Sequence, residues 1–314
     1  MAASASRPTP DAQADWAAPY QVDLSAVLGT FLRGSRDPAW RRAENRWWWA
    51  TRTPDGPASM ALRADREGVV TSSAWGPGAQ WLVDDVPSLL GFADDPSGFP
   101  AVALPERLQP VWADLAVRWR VPGSRRVLEA LVAAILEQKV TGVESRRGWR
   151  HLLSEVGESA PGPTPEGMFV MPDAAAIRGV PSWQWHRWGV QPQQSATILR
   201  AAQVAGRLEQ CADLPLPDAC RRLTAVDGIG QWTVAEVASR ALGDPDAVSF
   251  GDFHLAGSVV YAFTGRFDGT DADMAELLEP FAGHRHRVQR IVESSPYTRP
   301  RRGPRATITD HRHR

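Results

Sequence analysis

The segment Leu223-Thr-Ala-Val-Asp-Gly228-Ile-Gly230-Gln-Trp232-Thr233 constrains this chain more than any other stretch of its 314 residues. Apolar residues recur at helical intervals on both sides of it, over 216–224 and 231–241, so two helices meet here. A glycine lacks the Cβ that makes left-handed backbone costly and keeps other groups at a distance. Gly228 and Gly230 therefore predict a tight hairpin, with a new helix starting at Gln231. The first N–H groups of such a helix have no carbonyl partner and point outward, where a phosphate can accept them. Gly-x-Gly before a helix equally suits a plain helical corner, so the hairpin alone leaves both roles open.

The rest of the sequence divides by pattern. Residues 1–18 are rich in Ala, Ser, Pro and Asp and are expected to be disordered. A short helix is expected over 22–32, where Leu24, Val27, Leu28 and Phe31 fall at helical intervals and Asp23 or Ser25 can cap. Between 46 and 83, Trp47-Trp48-Trp49-Ala50-Thr51, Ser59-Met60-Ala61-Leu62 and Gly68-Val69-Val70-Thr71 read as strands, with Pro54-Asp55-Gly56-Pro57 as a turn. A small antiparallel sheet follows, its tryptophans either packed against a helix or set out as a carbohydrate platform. From residue 99 onward nearly every periodic segment is helical, with candidates at 106–119, 125–138, 142–156, 173–178, 192–208, 216–224, 231–241, 254–263, 271–281 and 284–293. A linker between helical lobes is expected at 157–165. The expected fold is thus mostly α: a disordered 1–18, a small α+β domain over 19–98, a two-lobed helical domain over 99–294 and a basic tail over 295–314.

Composition narrows the function. The chain has no run of about 18 apolar residues and no basic region followed by an apolar stretch at its start, so neither a membrane span nor a secretory signal is read. A cytoplasmic protein without a membrane partner is expected. The net charge of −1 argues against a wholly basic nucleic-acid binder. Arginines nonetheless crowd the stretch from His284 to Arg314, opposed only by Glu293 and Asp310. Such a tail either tracks phosphates or stays a solvated terminus. Cys211 and Cys220 are too few for a zinc or iron–sulfur site, each of which needs about four ligands, and read as idle thiols. Lys139 is the only lysine.

Beyond the hairpin, Phe250-Gly251-Asp252-Phe253-His254 opens another helix. Asp252 either caps that helix or offers its carboxylate to chemistry beside the hairpin. Gly-Ile-Gly, a helix and then an aspartate is the arrangement of the helix-hairpin-helix DNA glycosylase superfamily, which this chain resembles, most of all in its 3-methyladenine DNA glycosylase II (AlkA-type) branch. The resemblance runs from the small N-terminal domain near Ala18-Pro19-Tyr20, through the helix end Ala134-Ile135-Leu136-Glu137-Gln138 and the hairpin, to the Asp252 helix. It implies a base excision repair enzyme that flips an alkylated base out of duplex DNA and hydrolyses its bond to deoxyribose. Asp252 then matches the catalytic carboxylate. Breaking an N-glycosidic bond builds positive charge on the sugar, which an adjacent anion stabilises, and the same group can orient or deprotonate water.

The resemblance assigns further residues by position. Trp232 stands where bifunctional relatives carry a lysine nucleophile, so no strand-cleaving lyase is expected. In the alkylbase branch that place holds an aromatic that stacks on the flipped base, against the alternative of a core tryptophan. Glu236, one turn on, replaces the tyrosine of the branch; it either lines the base pocket with an acid or is an exposed first-turn residue complementing the helix dipole. Phe253 is a third pocket residue. Gly228, Ile229, Gly230, Gln231 and Thr233 would grip the DNA, as would Gln138 and Lys139. Lys139 falls where the branch inserts an apolar wedge into the gap left by the flipped base, unless it is an ordinary surface lysine. A structural Na+ or K+ on the carbonyls of Thr224, Val226 and Ile229 is the one ion implied; no other cofactor is expected. The expected partner is damaged double-stranded DNA, bound by a monomer. A non-catalytic damage-binding protein on the same scaffold is the alternative.

Overall fold

The computed structural model describes residues 8–299. The expected disorder of 1–7 and the tail from 300 onward lie outside the described residues. Five antiparallel strands form the N-terminal sheet: β1 (Ala12–Ala17), β2 (Trp40–Ala43), β3 (Arg46–Thr53), β4 (Gly56–Ala64) and β5 (Val69–Trp75), in the order β1-β5-β4-β3-β2. The expectation of disorder through residue 18 is therefore corrected: Ala12–Ala17 pairs along its whole length with β5, from Ala12 opposite Ala74 to Ala17 opposite Val69. Ala12, Ala14 and Trp16 alternate with the exposed Gln13, Asp15 and Ala17, the period of a half-buried strand. The short helix α1 (Leu24–Leu28) follows, capped by Asp23, whose carboxylate accepts from Ser25 N and Ala26 N.

Alternation in Trp47-Trp48-Trp49 sends side chains to both faces of the sheet. Trp47 and Trp49 join the main core, and Trp49 stacks on its cross-strand partner Trp40 at 4.9 Å, which in turn stacks on Phe31. Trp48 faces the other way and stacks on Trp75. That outer face is covered by Met168 and Val170. The cover comes from the hairpin of β6 (Glu158–Ser159) and β7 (Phe169–Val170), which the sequence presented as a linker between lobes at 157–165. The segment is packed because Trp48 and Trp75 would otherwise be wet. Trp47, Trp48 and Trp49 are buried and so do not form a carbohydrate platform.

Fifteen α-helices occur among the described residues. After α1 come α2 (Ala79–Asp84), α3 (Val86–Leu89), α4 (Gln109–Arg118), α5 (Val127–Glu137), α6 (Gly142–Val156), α7 (Ala174–Gly179), α8 (Ser182–Arg187), α9 (Pro192–Gln203), α10 (Ala205–Glu209), α11 (Leu216–Thr224), α12 (Gln231–Val237), α13 (Leu255–Thr264), α14 (Asp271–Leu278) and α15 (Arg285–Ser294). α12 runs directly into a π-helical turn at Ala238–Leu242. The expected helix over 192–208 is two, α9 and α10. None of the described helices is long and apolar enough to cross a membrane.

The helices form two lobes. α5 packs against α6, α9, α10 and α12, while α13 packs on α14 and α15. α4 precedes the first lobe in sequence but packs on α15, so the chain begins the second lobe, leaves it, and returns. Buried Arg287 of α15 reaches both carboxylate oxygens of Asp94 in the loop before α4, with 2.8 Å from Nη1 to Oδ2, and so closes that lobe onto the N-terminal domain.

α5 is apolar on all sides and buried from Val127 to Leu136, which makes its polar ends a problem for its neighbours. The Glu209 carboxylate accepts from Val127 N and Leu128 N, both at 3.1 Å. At the other end one amide, Nε2 of Gln194, lies 3.0–3.2 Å from the carbonyls of Ile135, Leu136 and Gln138. Replacing Gln194 with leucine strands those carbonyls, and is expected to cost about 1–3 kcal/mol in urea unfolding.

His286 on α15 is buried, with Nδ1 3.1 Å from the Ala247 carbonyl, so it donates there as a neutral ring. Burial, reinforced by the charges of Arg240, Arg290 and Arg287, pushes its pKa down to about 3. The unfolded chain takes up this proton near pH 6.5 and the folded one only near 3. Stability from this group is therefore full above 6.5 and falls as pH drops toward 3, by at most about 1.4 kcal/mol per unit. His286→Gln should flatten that limb of the stability profile; an unchanged slope between pH 6 and 4 would refute the assignment.

Candidate active site at the hairpin

The hairpin forms as the glycines require, and its inner side is tied down. α11 ends with Ala225 N and Val226 N donating back to Arg221 O and Leu223 O, and Ile229 N donates to Val226 O at 3.0 Å. Gly228 is left-handed, with φ +92°, and a Cβ there would lie 2.3 Å from Thr197 Oγ1. Arg200 Nε donates to Asp227 O at 2.9 Å, and Gln138 Nε2 donates to Gly228 O at 3.1 Å and to Thr233 Oγ1 at 2.8 Å. Ile229 is buried beneath.

The outer side is open. Gly230 is extended, with φ −98° and ψ −178°, and no atom lies within 4 Å of where its Cβ would stand. No side chain caps α12, whose first bonded amide is Val234 N on Gly230 O. The exposed turn at 230–231 thus presents unpaired N–H groups, the arrangement that binds anions. Gln231 is exposed here, but Thr233 is buried and its hydroxyl serves Gln138. The side chains of Thr233 and Gln138, both expected among the strand-gripping residues, bond each other, and Gln138 also bonds the hairpin carbonyl of Gly228. Lys139 is exposed at the turn after α5, in left-handed backbone with φ 53°. The carbonyls of Thr224 and Ile229 accept no backbone hydrogen bond among the described residues.

Of the two roles the sequence left open for Asp252, the bonds at the entry to α13 are visible in the structure. Its Oδ1 accepts from His254 N at 2.7 Å and Leu255 N at 2.8 Å, which caps α13. Oδ2 makes no hydrogen bond among the described residues, and the side chain is half-buried. These bonds fix one carboxylate oxygen and leave the other without one among the described residues. Phe253 does not wall a pocket: its ring is 91% exposed and lies edge-on to His254.

Trp232 is half-buried on the first turn of α12. Glu236, one turn later, matches neither expectation, because it is buried and both carboxylate oxygens are engaged. Oε1 accepts from Ser249 Oγ at 2.5 Å and Oε2 from Arg240 Nη1 at 2.6 Å. It is not an exposed first-turn residue, and it is not a bare acid waiting for a base. Arg240 also sits in the field of Glu137, whose carboxyl burial drives upward and Arg33 and Arg240 pull back. Ser249, Arg240 and Gln194 were missed in the sequence. The i,i+4 spacing of Glu236 and Arg240 was a legible signal; the long-range partners left none.

No known family profile matches the sequence, and no curated protein matches it. Among solved structures, a 3-methyladenine DNA glycosylase from Archaeoglobus fulgidus superposes with a TM-score of 0.75 and 16% identity, over 89% of this chain and 97% of that one. The apo form of an 8-oxoguanine glycosylase/lyase from Clostridium acetobutylicum gives 0.67 at 10% identity, over 93% and 98%. A complex of that enzyme with duplex DNA carrying cytosine opposite 8-oxoguanine gives 0.65 at 10%, over 91% and 98%. Over nearly its whole length the chain shares its fold with these solved DNA glycosylase structures.

Proposed function

We propose that this protein is a DNA glycosylase of base excision repair, and that it is monofunctional and acts on alkylated bases in duplex DNA. The observation that carries the reading is Asp252: a carboxylate held through Oδ1 by two amides, with Oδ2 unpaired among the described residues, on a turn that Ser249 ties to Glu236 of the hairpin helix α12, whose first amides are open. In the reaction the flipped base departs with the electrons of the N-glycosidic bond. Positive charge grows on the sugar, Oδ2 faces that charge, and water adds to the anomeric carbon. A preset anion costs no reorganisation as the charge develops.

Backbone amides at Gly230 and Gln231 would hold a phosphate of the damaged strand. A monovalent cation fits the same turn, since the carbonyls of Thr224 and Ile229 have spare acceptor capacity and Val226 O carries only one bond, from Ile229 N; it would add positive charge under that phosphate. Trp232, half-buried on the same helix, would stack on the flipped base. Lys139 would enter the duplex gap with its methylene stem. The lyase step is not expected because the chain's one lysine lies in the α5–α6 turn and position 232 is tryptophan. The alkylbase assignment draws support from the superposition on the Archaeoglobus enzyme. A cytoplasmic monomer belongs to the same reading.

Methylated duplex DNA incubated with the protein should release free alkylated base and leave abasic sites, with strands cut only after alkali. Asp252→Asn should slow release by at least about 100-fold while duplex affinity stays equal or rises, since an anion near phosphates is removed. Full activity in that variant would sink the role of Asp252, and a borohydride-trapped covalent adduct would sink the monofunctional chemistry.

The two glycines separate folding from binding. Gly230→Val meets open space and ordinary backbone, so the melting temperature should hold while affinity for damaged and undamaged duplex alike falls by about tenfold, as phosphate contacts carry no sequence information. Lost activity at unchanged affinity would show that the hairpin is not the anchor.

A further inference from the structure

The turn that presents Asp252 is held within its own lobe by Gln289, on Ser249 N, and by Asp271, on Gly251 N, and it is tied to the hairpin helix α12 through the buried carboxylate of Glu236. Ser249 opens this turn, is 3% exposed, and its carbonyl accepts from Asp252 N at 3.1 Å. Its hydroxyl donates to Glu236 Oε1 at 2.5 Å. Glu236 is fixed in turn by Arg240, whose Nη1 lies 2.6 Å from Oε2 and whose Nε donates to Thr30 O at 3.4 Å in the N-terminal domain. Between Ser249 and Asp252 stands Gly251, left-handed at φ +85° with no atom within 4 Å of its Cβ position. Gly251 N donates to Asp271 Oδ2 at 2.9 Å and Phe250 packs on the core, so the second lobe holds the middle of the turn while Ser249 carries its bond to α12.

We infer that Glu236 is a positioning residue: through Ser249 it fixes the Asp252 turn of one lobe against the hairpin helix of the other. This rests on the glycosylase reading only in taking Asp252 as the group that meets the sugar. α12 carries both Trp232 and Glu236, so the link sets the distance between the stacking face and the carboxylate. A displacement of about 1 Å in such a pair costs on the order of 100-fold in rate. Arg240 has a separate task. By pairing with Glu236 through Nη1 it offsets the charge of that buried acid and holds its Oε2, so Oε1 stays on Ser249.

The test compares binding to two duplexes, one with a pyrrolidine abasic analogue whose ring nitrogen is protonated and one with the neutral tetrahydrofuran analogue. The ratio of affinities reads how well the Asp252 charge is placed, and needs no substrate. Wild type should favour the cationic ring by about 100-fold. Ser249→Ala and Glu236→Ala should each cut that preference about tenfold, and together no further, with affinity for the neutral ring unchanged. Glu236→Gln, which keeps an acceptor for the Ser249 hydroxyl, should retain more of the preference than Glu236→Ala. Single-turnover excision of methylated bases should fall in the same order with Kd unmoved. If Glu236→Ala does not fold, Ser249→Ala alone decides, as it leaves the Glu236–Arg240 pair intact. Wild-type preference in folded Ser249→Ala overturns the inference. A wild type that favours the cationic ring but releases no alkylated base would overturn the substrate assignment and leave the positioning role standing; no preference in wild type overturns both.

Discussion

Burying α5 determines how the rest of the molecule is joined. An apolar helix taken wholly into a core keeps unpaired amides at one end and carbonyls at the other, and each left unsatisfied costs about 1–3 kcal/mol. Every element that meets this demand becomes fixed relative to the helix. Glu209 brings in α10 at one end, and Gln194 brings in α9 at the other. In the first turn Glu129, itself buried, is held by Thr51 Oγ1 at 2.5 Å and Trp49 Nε1 at 3.4 Å, which fastens the sheet. Burial drives the Glu129 carboxyl upward in pKa, and those hydrogen bonds oppose the shift. Gln138, just past the helix, braces the hairpin. The hairpin thereby inherits the rigidity of the core.

The second lobe is attached by different means. Asp252 belongs to the chain segment leading into α13, and its lobe is closed by α4 on α15 and by the Arg287–Asp94 pair. Where the lobes meet the N-terminal domain, Glu137, Glu236, Arg33 and Arg240 gather, two acids with two bases. A buried ion pair is weak evidence for stability because desolvation offsets the attraction. Here its worth is geometric, since these side chains come from α5, α12, the π turn and the loop after α1. The π turn matters in this respect: it widens the helix after Glu236 and still returns Arg240 to that carboxylate.

Local pattern made most elements legible and left most connections invisible. α6 and α11 have the bounds that helical periodicity predicts, and the Asp23 cap follows from its position. β1 was lost because a composition of Ala, Asp and Gln resembles a disordered terminus, although its alternation already had the period of a strand. The 157–165 segment looked like a linker because it is rich in Gly and Pro, yet Trp48 and Trp75 on the far face of the sheet recruit it. Hairpin and Asp252 were readable because both are local motifs. Glu236 could not be placed, because its environment is decided by Ser249 and Thr30, residues from distant parts of the chain.

The hairpin motif mixes two demands that sequence alone does not separate. Gly228 is required by the fold, since its φ of +92° is costly for any residue with a Cβ and Thr197 fills the space a side chain would need. Gly230 is required by nothing inside the molecule: its backbone is extended and the space beside it is open. The open position stands at the uncapped start of α12, where amides await an acceptor, so the missing side chain there leaves room for a group that approaches from outside. Lys139 shows the converse. It carries a long side chain in left-handed backbone, a conformation that costs on the order of 1 kcal/mol outside glycine, and it does so because Gln194 holds the carbonyl of the residue before it. One position is left open and the other turns its side chain out to solvent, and the hydrogen bonds around both end on the same buried helix or its hairpin.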